Sequence, residues 1–208
     1  VLKHEFDVTG VRPKILVAKD YESLLDGVSY VERIVWPHSF DRVHEASSFV
    51  ARRLSGHQMI NCSVYGAGLH IHPEMWSFDR EIWNKSGCPV SFGRLPLVFD
   101  QRDYEREKKL ADSLILDKNV PVILTAFSGI SSPFHGYEKL HAFLRRTGYQ
   151  IIDISHVRAE RPYDLLGLYD RAMGLVATDS FPLHLAAACP KLKTVALITD
   201  GPTPWHRS

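Results

Sequence analysis

Short apolar runs alternate with amphipathic stretches along nearly the whole chain. "KILVA" (14–18), "VERIVW" (31–36) and "QMINCSVYG" (58–66) read as strands in the first half, and "YESLLDG", "FDRVHEASSFVARRL" (40–54) and "WSFDREIWNKSG" (76–87) as helices between or after them. In the second half the predicted strands are "VPVILTAF" (120–127), "YQIIDIS" (149–155), "GLVATD" (174–179) and "KTVALIT" (193–199). Helical spacing over "YEKLHAFLRRT", "PYDLLGLYDRA" (162–172) and "PLHLAAAC" fills the gaps, and Gly148 is a stop signal after the first. Crossovers of this length require parallel pairing with right-handed connections. A parallel sheet is covered on both faces, which accounts for near-continuous rather than alternating apolar runs. A charged helix, "QRDYEREKKLADSLIL", precedes this second unit.

The segment "CPVSFGRLPLVFD" (88–100) is rich in Pro and Gly and has no period. It is the expected linker. The fold class is therefore α/β, with two Rossmann-like parallel-sheet units over 1–95 and 96–208 and a cleft between them.

Composition narrows the function. The 208 residues are 45% hydrophobic and 24% charged, with a net charge of +1. Acids and bases are interspersed, so nothing points to a nucleic-acid binder. No run approaches the roughly 20 apolar residues of a membrane span, and the start "VLKHEFDVTG" lacks a signal-peptide core. Cys62, Cys88 and Cys189 form neither a disulfide framework nor a zinc pattern. A reducing cytoplasm is the expected setting.

Ligands of open parallel sheets lie beyond the carboxyl ends of the strands. Three loops fall there. "SGISSP" (128–133) offers Gly129 for close backbone approach and hydroxyls from Ser128, Ser131 and Ser132. It leads toward a helix whose N-terminus favours phosphate, or it is an ordinary serine-rich turn. "ATDSFPLHLAAA" (177–188) ends a strand in Asp179 and opens a helix with Ser180 as N-cap and Pro182 in the first turn. His184 lies near that N-terminus and can donate a hydrogen bond to a diphosphate, or it is a satisfied core histidine. "TDGPTPW" (199–205) carries Thr203 toward the same crevice, or simply turns the chain. His70, His72 and Glu74 in "HIHPE" alternate as zinc donors do, but no further ligand accompanies them, and no metal is expected. Neither a nucleophile elbow nor G-x-G-x-x-G is present.

The block "YDLLGLYDRAMGLVATDSFPLHLAAACPKLKTVALITDGPTPW" resembles the C-terminal half of the lipopolysaccharide heptosyltransferase family. The residues that carry the resemblance are Ala172, Val176, Asp179, Ser180, His184, Leu185, Ala186, Ala187 and Ala188, then Gly201, Pro202, Thr203 and Pro204. "KILVAKDYESLLDGVSYVERIVWP" is similar to the family's second strand, turn and third strand. The resemblance implies a GT-B fold and an inverting, metal-independent glycosyltransferase with no cofactor. Its donor would be a nucleotide-diphosphate sugar of the ADP-heptose kind, its acceptor a lipopolysaccharide or other glycan. It also implies that Ser128, Gly129, Ser131, Ser132, Ser180 and His184 hold the diphosphate, with Asp179 fixing the loop. Any contact with the inner face of the cell membrane would be peripheral. Three departures are evident: Phe181 replaces the family's Gly, "SSPFHG" supplies only His135 where a basic residue is usual, and the family's first strand with its acceptor-side base has no counterpart. No general base is assigned. The alternative expectation is a non-catalytic relative that binds a sugar nucleotide or a protein partner.

Overall fold

The computed structural model describes residues 1–38, 86–91, 95–128 and 134–198. The chain divides into two compact units, one ending at Gln101 and the other beginning at Arg102. The expected boundary, 95/96, lies six residues earlier.

In the first unit, α1 (Leu2–Thr9) ends at Gly10, whose φ of 68° is the left-handed conformation that closes a helix without a Cβ clash. Strands β1 (Lys14–Ala18) and β2 (Glu32–Trp36) pair in parallel, with Lys14 opposite Glu32 and Ala18 opposite Trp36. Leu16, Ala18 and Trp36 pack together on this pair. The link between the strands, expected as a helix that stops at a Gly, is a 3₁₀ helix over Lys19–Gly27. Only Gly27 in it is buried, so no apolar stripe selects the wider α turn.

The described part of the expected linker, 88–91 and 95–100, has no helix or strand, yet it is pinned. Asp100 accepts the Ser29 N–H at 2.7 Å and the Ser29 hydroxyl at 2.5 Å. The Tyr30 hydroxyl donates to the Val98 carbonyl at 2.8 Å, and the Gln101 N–H to the Gly27 carbonyl at 3.0 Å. The expected elements at 40–54 and 58–66, and nearly all of 76–87, fall outside the described residues.

The second unit is a four-stranded parallel sheet in the order β4-β3-β5-β6. Its strands are β3 (Val122–Ala126), β4 (Gln150–Asp153), β5 (Gly174–Thr178) and β6 (Lys193–Leu197). Its helices are α2 (Tyr104–Leu114), α3 (Tyr137–Arg145), α4 (Leu166–Tyr169) and α5 (Phe181–Leu185). The core consists of Leu124 and Leu175 on the inner strands with Tyr163, Leu168, Tyr169 and Leu185 from the crossovers, all at most 1% exposed. β4 and β6 are the edge strands, and Lys193 to Ala196 are exposed along β6.

Two crossovers are shorter than the periodicity predicts. "PYDLLGLYDRA" begins as a 3₁₀ turn, Pro162–Leu165, and becomes α only over four residues. The buried Asp164 carboxylate accepts the Arg161 N–H at 3.1 Å, which fixes the tight entry. "PLHLAAAC" is α to Leu185 and 3₁₀ over Ala186–Ala188.

A buried ion cluster ties α2 to α4. Glu107, 2% exposed, receives Arg102 Nε at 2.9 and 3.1 Å and pairs with Arg102 Nη2, which also reaches Asp170 at 2.6 Å. The hydrogen bonds that Arg102 donates to Glu107 above all hold the guanidinium pKa above its usual value, against the cost of burial.

Among the described residues, no helix is long and apolar enough to cross a membrane.

Candidate functional site

β3 pairs with β4 on one side and β5 on the other, so the chain reverses direction across the sheet at β3. The loops leaving the three strands diverge there, which is where open α/β sheets leave a crevice. Register aligns the ends: Ala126 stands opposite Ala177, and Thr125 opposite both Asp153 and Val176.

Side-chain hydrogen bonds fasten these ends to one another. The Thr178 hydroxyl donates to the Ala126 carbonyl at 3.4 Å, from β5 to β3. The Phe127 N–H donates to Ser155 Oγ at 3.2 Å, from the β3 exit to the β4 exit. Asp153 accepts the Ser155 N–H at 2.9 Å. The buried Thr125 hydroxyl lies 2.9 Å from His141 Nε2 of α3, and the Phe127 ring stacks obliquely against His141 and Phe134 at 5.1 and 5.7 Å.

Above this edge lies a cavity of about 760 Å³. Ala126 and Ser128 line it from the β3 exit; Ile154, Ser155, Val157, Arg158 and Ala159 from the β4 exit; Pro162 and Leu165 from the turn before α4; and Ser180, Phe181 and Pro182 from the β5 exit. The volume lies within the range of small-molecule sites, and the mostly apolar wall with a few polar groups fits that class. No carboxylate is among these lining residues.

The β5 exit departs from expectation in one detail. Ser180 occupies the N-cap position of α5, with extended φ and ψ of −159° and 173°, but its side chain caps nothing. Its hydroxyl donates backward to the Thr178 carbonyl at 3.1 Å. The first turn instead closes on the Ser180 carbonyl, which accepts the N–H groups of Leu183 at 3.0 Å and His184 at 3.3 Å. The buried Tyr169 holds the turn from α4, its hydroxyl donating to the Pro182 carbonyl at 2.9 Å. Burial pushes the Tyr169 phenol pKa up, so it stays a donor.

His184 Nε2 lies 3.2 Å from Asp179 Oδ1, with His184 half exposed and Asp179 mostly covered. The two side chains form a close polar pair where the chain leaves β5.

The expected site residues thus separate into groups. Ser128 and Ser180 come together at the cavity. Asp179 and His184 form a pair, and neither is among the lining residues. Gly129, Ser131, Ser132 and Thr203 lie outside the described residues, as do His70, His72 and Glu74. Among the described residues no group of three potential metal ligands occurs.

Sequence reasoning examined the loops after β3, β5 and β6 and passed over the loop after β4. That loop supplies the one charged group among the described lining residues, Arg158. The signal was available: the carboxyl-end rule applies to every strand of the sheet.

Compared with known proteins, the chain matches no family model, no curated protein and no solved structure.

Proposed function

We propose that the second unit binds a nucleotide-diphosphate sugar and that the chain is a glycosyltransferase of the inverting, heptosyltransferase type. The observation that carries this reading is the cavity at the carboxyl edge of β3, β4 and β5, with Ser128 and Ser180 on its wall. The sequence block that resembles the family's donor site runs through the same β5 exit.

The chemistry fits a donor site. Transfer of a sugar leaves negative charge on the departing diphosphate, and oriented donors placed there lower the barrier. The Ser180 hydroxyl reaches a ligand by rotating about one torsion, exchanging the Thr178 carbonyl for a phosphate oxygen. That exchange costs little, because one hydrogen bond replaces another. His184, beside Asp179, adds a polar side chain close to the α5 entry. A glycan or lipid-linked glycan is the acceptor in this reading.

Calorimetric titration with ADP, UDP, GDP and CDP tests the proposal. Selective binding of one nucleotide, weakened about tenfold in His184→Ala, is expected for loss of a charge-assisted hydrogen bond. A folded sample that binds none of the four overturns it.

Phe181 favours a second reading. It is 41% exposed and lines the cavity at the position where the resembling family has Gly. A phenyl ring there restricts the backbone's approach to phosphate, which suits a domain that binds a sugar nucleotide without turning it over. Nucleotide binding without sugar release from any nucleotide sugar, in the presence of glycan acceptors, is the outcome that selects this reading.

A further inference from the structure

We infer that Arg158 is a cation that neutralises the diphosphate, and that the cavity therefore discriminates nucleoside diphosphates from nucleosides through the β4 exit. The inference rests on the donor-site reading above and adds the residue that sets its ligand class.

Two arginines, Arg158 and Arg161, lie three positions apart in the segment after β4, and the structure gives them different work. Arg161 is committed. Its Nε reaches Asp164 Oδ1 at 3.0 Å, its backbone N–H reaches Oδ2 at 3.1 Å, and its guanidinium lies over the Tyr163 ring at 4.4 Å. Arg158 makes no ion pair among the described residues, is exposed, and lines the cavity. Among the described residues, the other lining groups add hydroxyls from Ser128, Ser155 and Ser180 and no carboxylate. A guanidinium beside three hydroxyls, with no carboxylate among the described lining residues, selects an anion, and its planar fork matches two phosphate oxygens at once.

The remaining wall fixes what the anion is attached to. Val157, Ala159, Pro162 and Leu165 add apolar surface from the segment that carries Arg158, and Phe181 adds an aromatic ring from the β5 exit. A flat, weakly polar group such as a nucleobase is bound by such surfaces with loss of water from both. Charge on one part and an apolar wall on another describe a nucleoside diphosphate better than an inorganic ion or an uncharged sugar.

The test titrates the full chain and the variants Arg158→Gln and Arg158→Lys with ADP, UDP, GDP, CDP, each corresponding nucleoside, and inorganic pyrophosphate. In Arg158→Gln the affinity of the preferred diphosphate is expected to fall about tenfold to a hundredfold, the scale of one charge-assisted pair. Pyrophosphate competition is expected to vanish, nucleoside affinity to change less than about twofold, and the lysine variant to recover part of the loss. Melting temperature should stay within a degree or so of the unaltered chain, because exposed side chains of this kind carry little stability. Diphosphate affinity unchanged in Arg158→Gln overturns this inference and leaves the donor-site reading standing. Absence of binding by all four diphosphates to the unaltered chain overturns both.

Discussion

Gly167 of α4 lies so close to α2 that a Cβ on it would stand 2.7 Å from the Glu107 carbonyl oxygen and 2.8 Å from the Glu107 Cβ. The two helices meet backbone to backbone at this point. Replacing Gly by Ala inside a helix ordinarily stabilises by about 1 kcal/mol. Here the obstructing atoms include backbone, which cannot swing aside, and overpacking costs about 1–3 kcal/mol. Gly167→Ala is therefore expected to lower stability, read as a reduced urea midpoint with an unchanged slope. A gain in stability would show that α2 and α4 separate freely.

The same contact places Arg102 beside a carboxylate that water scarcely reaches. Removing the guanidinium leaves Glu107 charged, buried and without its principal counter-ion, which costs roughly 3–5 kcal/mol. Arg102→Ala should be among the most damaging single changes in the second unit. Glu107→Gln should be milder, since Arg102 keeps Asp170 and the amide oxygen still accepts. Chemical denaturation of the two variants distinguishes these costs, and equal losses would contradict the account.

Stability should fall on the alkaline side. Burial first, then the neighbouring Asp170 carboxylate, pushes the Cys189 thiol pKa up to about 12, from 9.0. Burial and then Asp100 push the Tyr30 phenol up to about 12, from 10.0. Both groups hold their protons more tightly folded than unfolded. Between the two values the native state binds more protons than the unfolded chain, so stability declines as pH rises. The decline from Cys189 opens near pH 9 and that from Tyr30 near pH 10. Cys189→Ala should flatten the first part of the curve, as followed by melting temperature from pH 8 to 11.

In the first unit, Asp100 gathers both donors of Ser29. Burial opposes its ionisation, but the two Ser29 hydrogen bonds outweigh that and hold its pKa below the usual carboxylate value. Such a group stabilises the fold above its unfolded pKa, and the contribution fades as pH drops through the lower folded value. Asp100→Asn removes the charge and one acceptor. The expected result is earlier proteolysis around 95–101 at neutral pH, with less difference from the unaltered chain in strong acid.

How much of this was legible in the sequence depends on the kind of signal. β3 and β5 announce themselves, because an inner strand of a parallel sheet is apolar on both faces and "VILTA" and "GLVAT" read as such. The crossovers are less legible. Helical spacing over 162–172 is real, but a buried Asp164 bound to the Arg161 backbone tightens the first turn, and no local pattern reveals that pairing. The β5 exit was recognised from Asp179, Ser180 and His184 in one short run, while the direction of the Ser180 hydroxyl was not. A serine before a helix has two nearby acceptors or donors to choose from, and the choice is made by the strand end beneath it. The carboxyl-end rule points to the loop that carries Arg158, but not to which arginine of that loop serves the cavity. "HVRAERP" contains two arginines in an aperiodic loop, and only the position of Asp164 decides which of them is left for the cavity.

The exposed edge at β6 has its own consequence for how the second unit comes apart. β3 is paired on both sides and buried, whereas β6 shares one ladder with β5 and presents Val195 at 55% exposure to water. Peeling β6 away uncovers little that is not already wet, so its amides should exchange with solvent deuterium through small local openings. The amides of β3 should wait for the unit to unfold as a whole. A nucleotide wedged against the ends of β3, β4 and β5 would then slow exchange at the centre of the sheet and leave the rim nearly as quick as before.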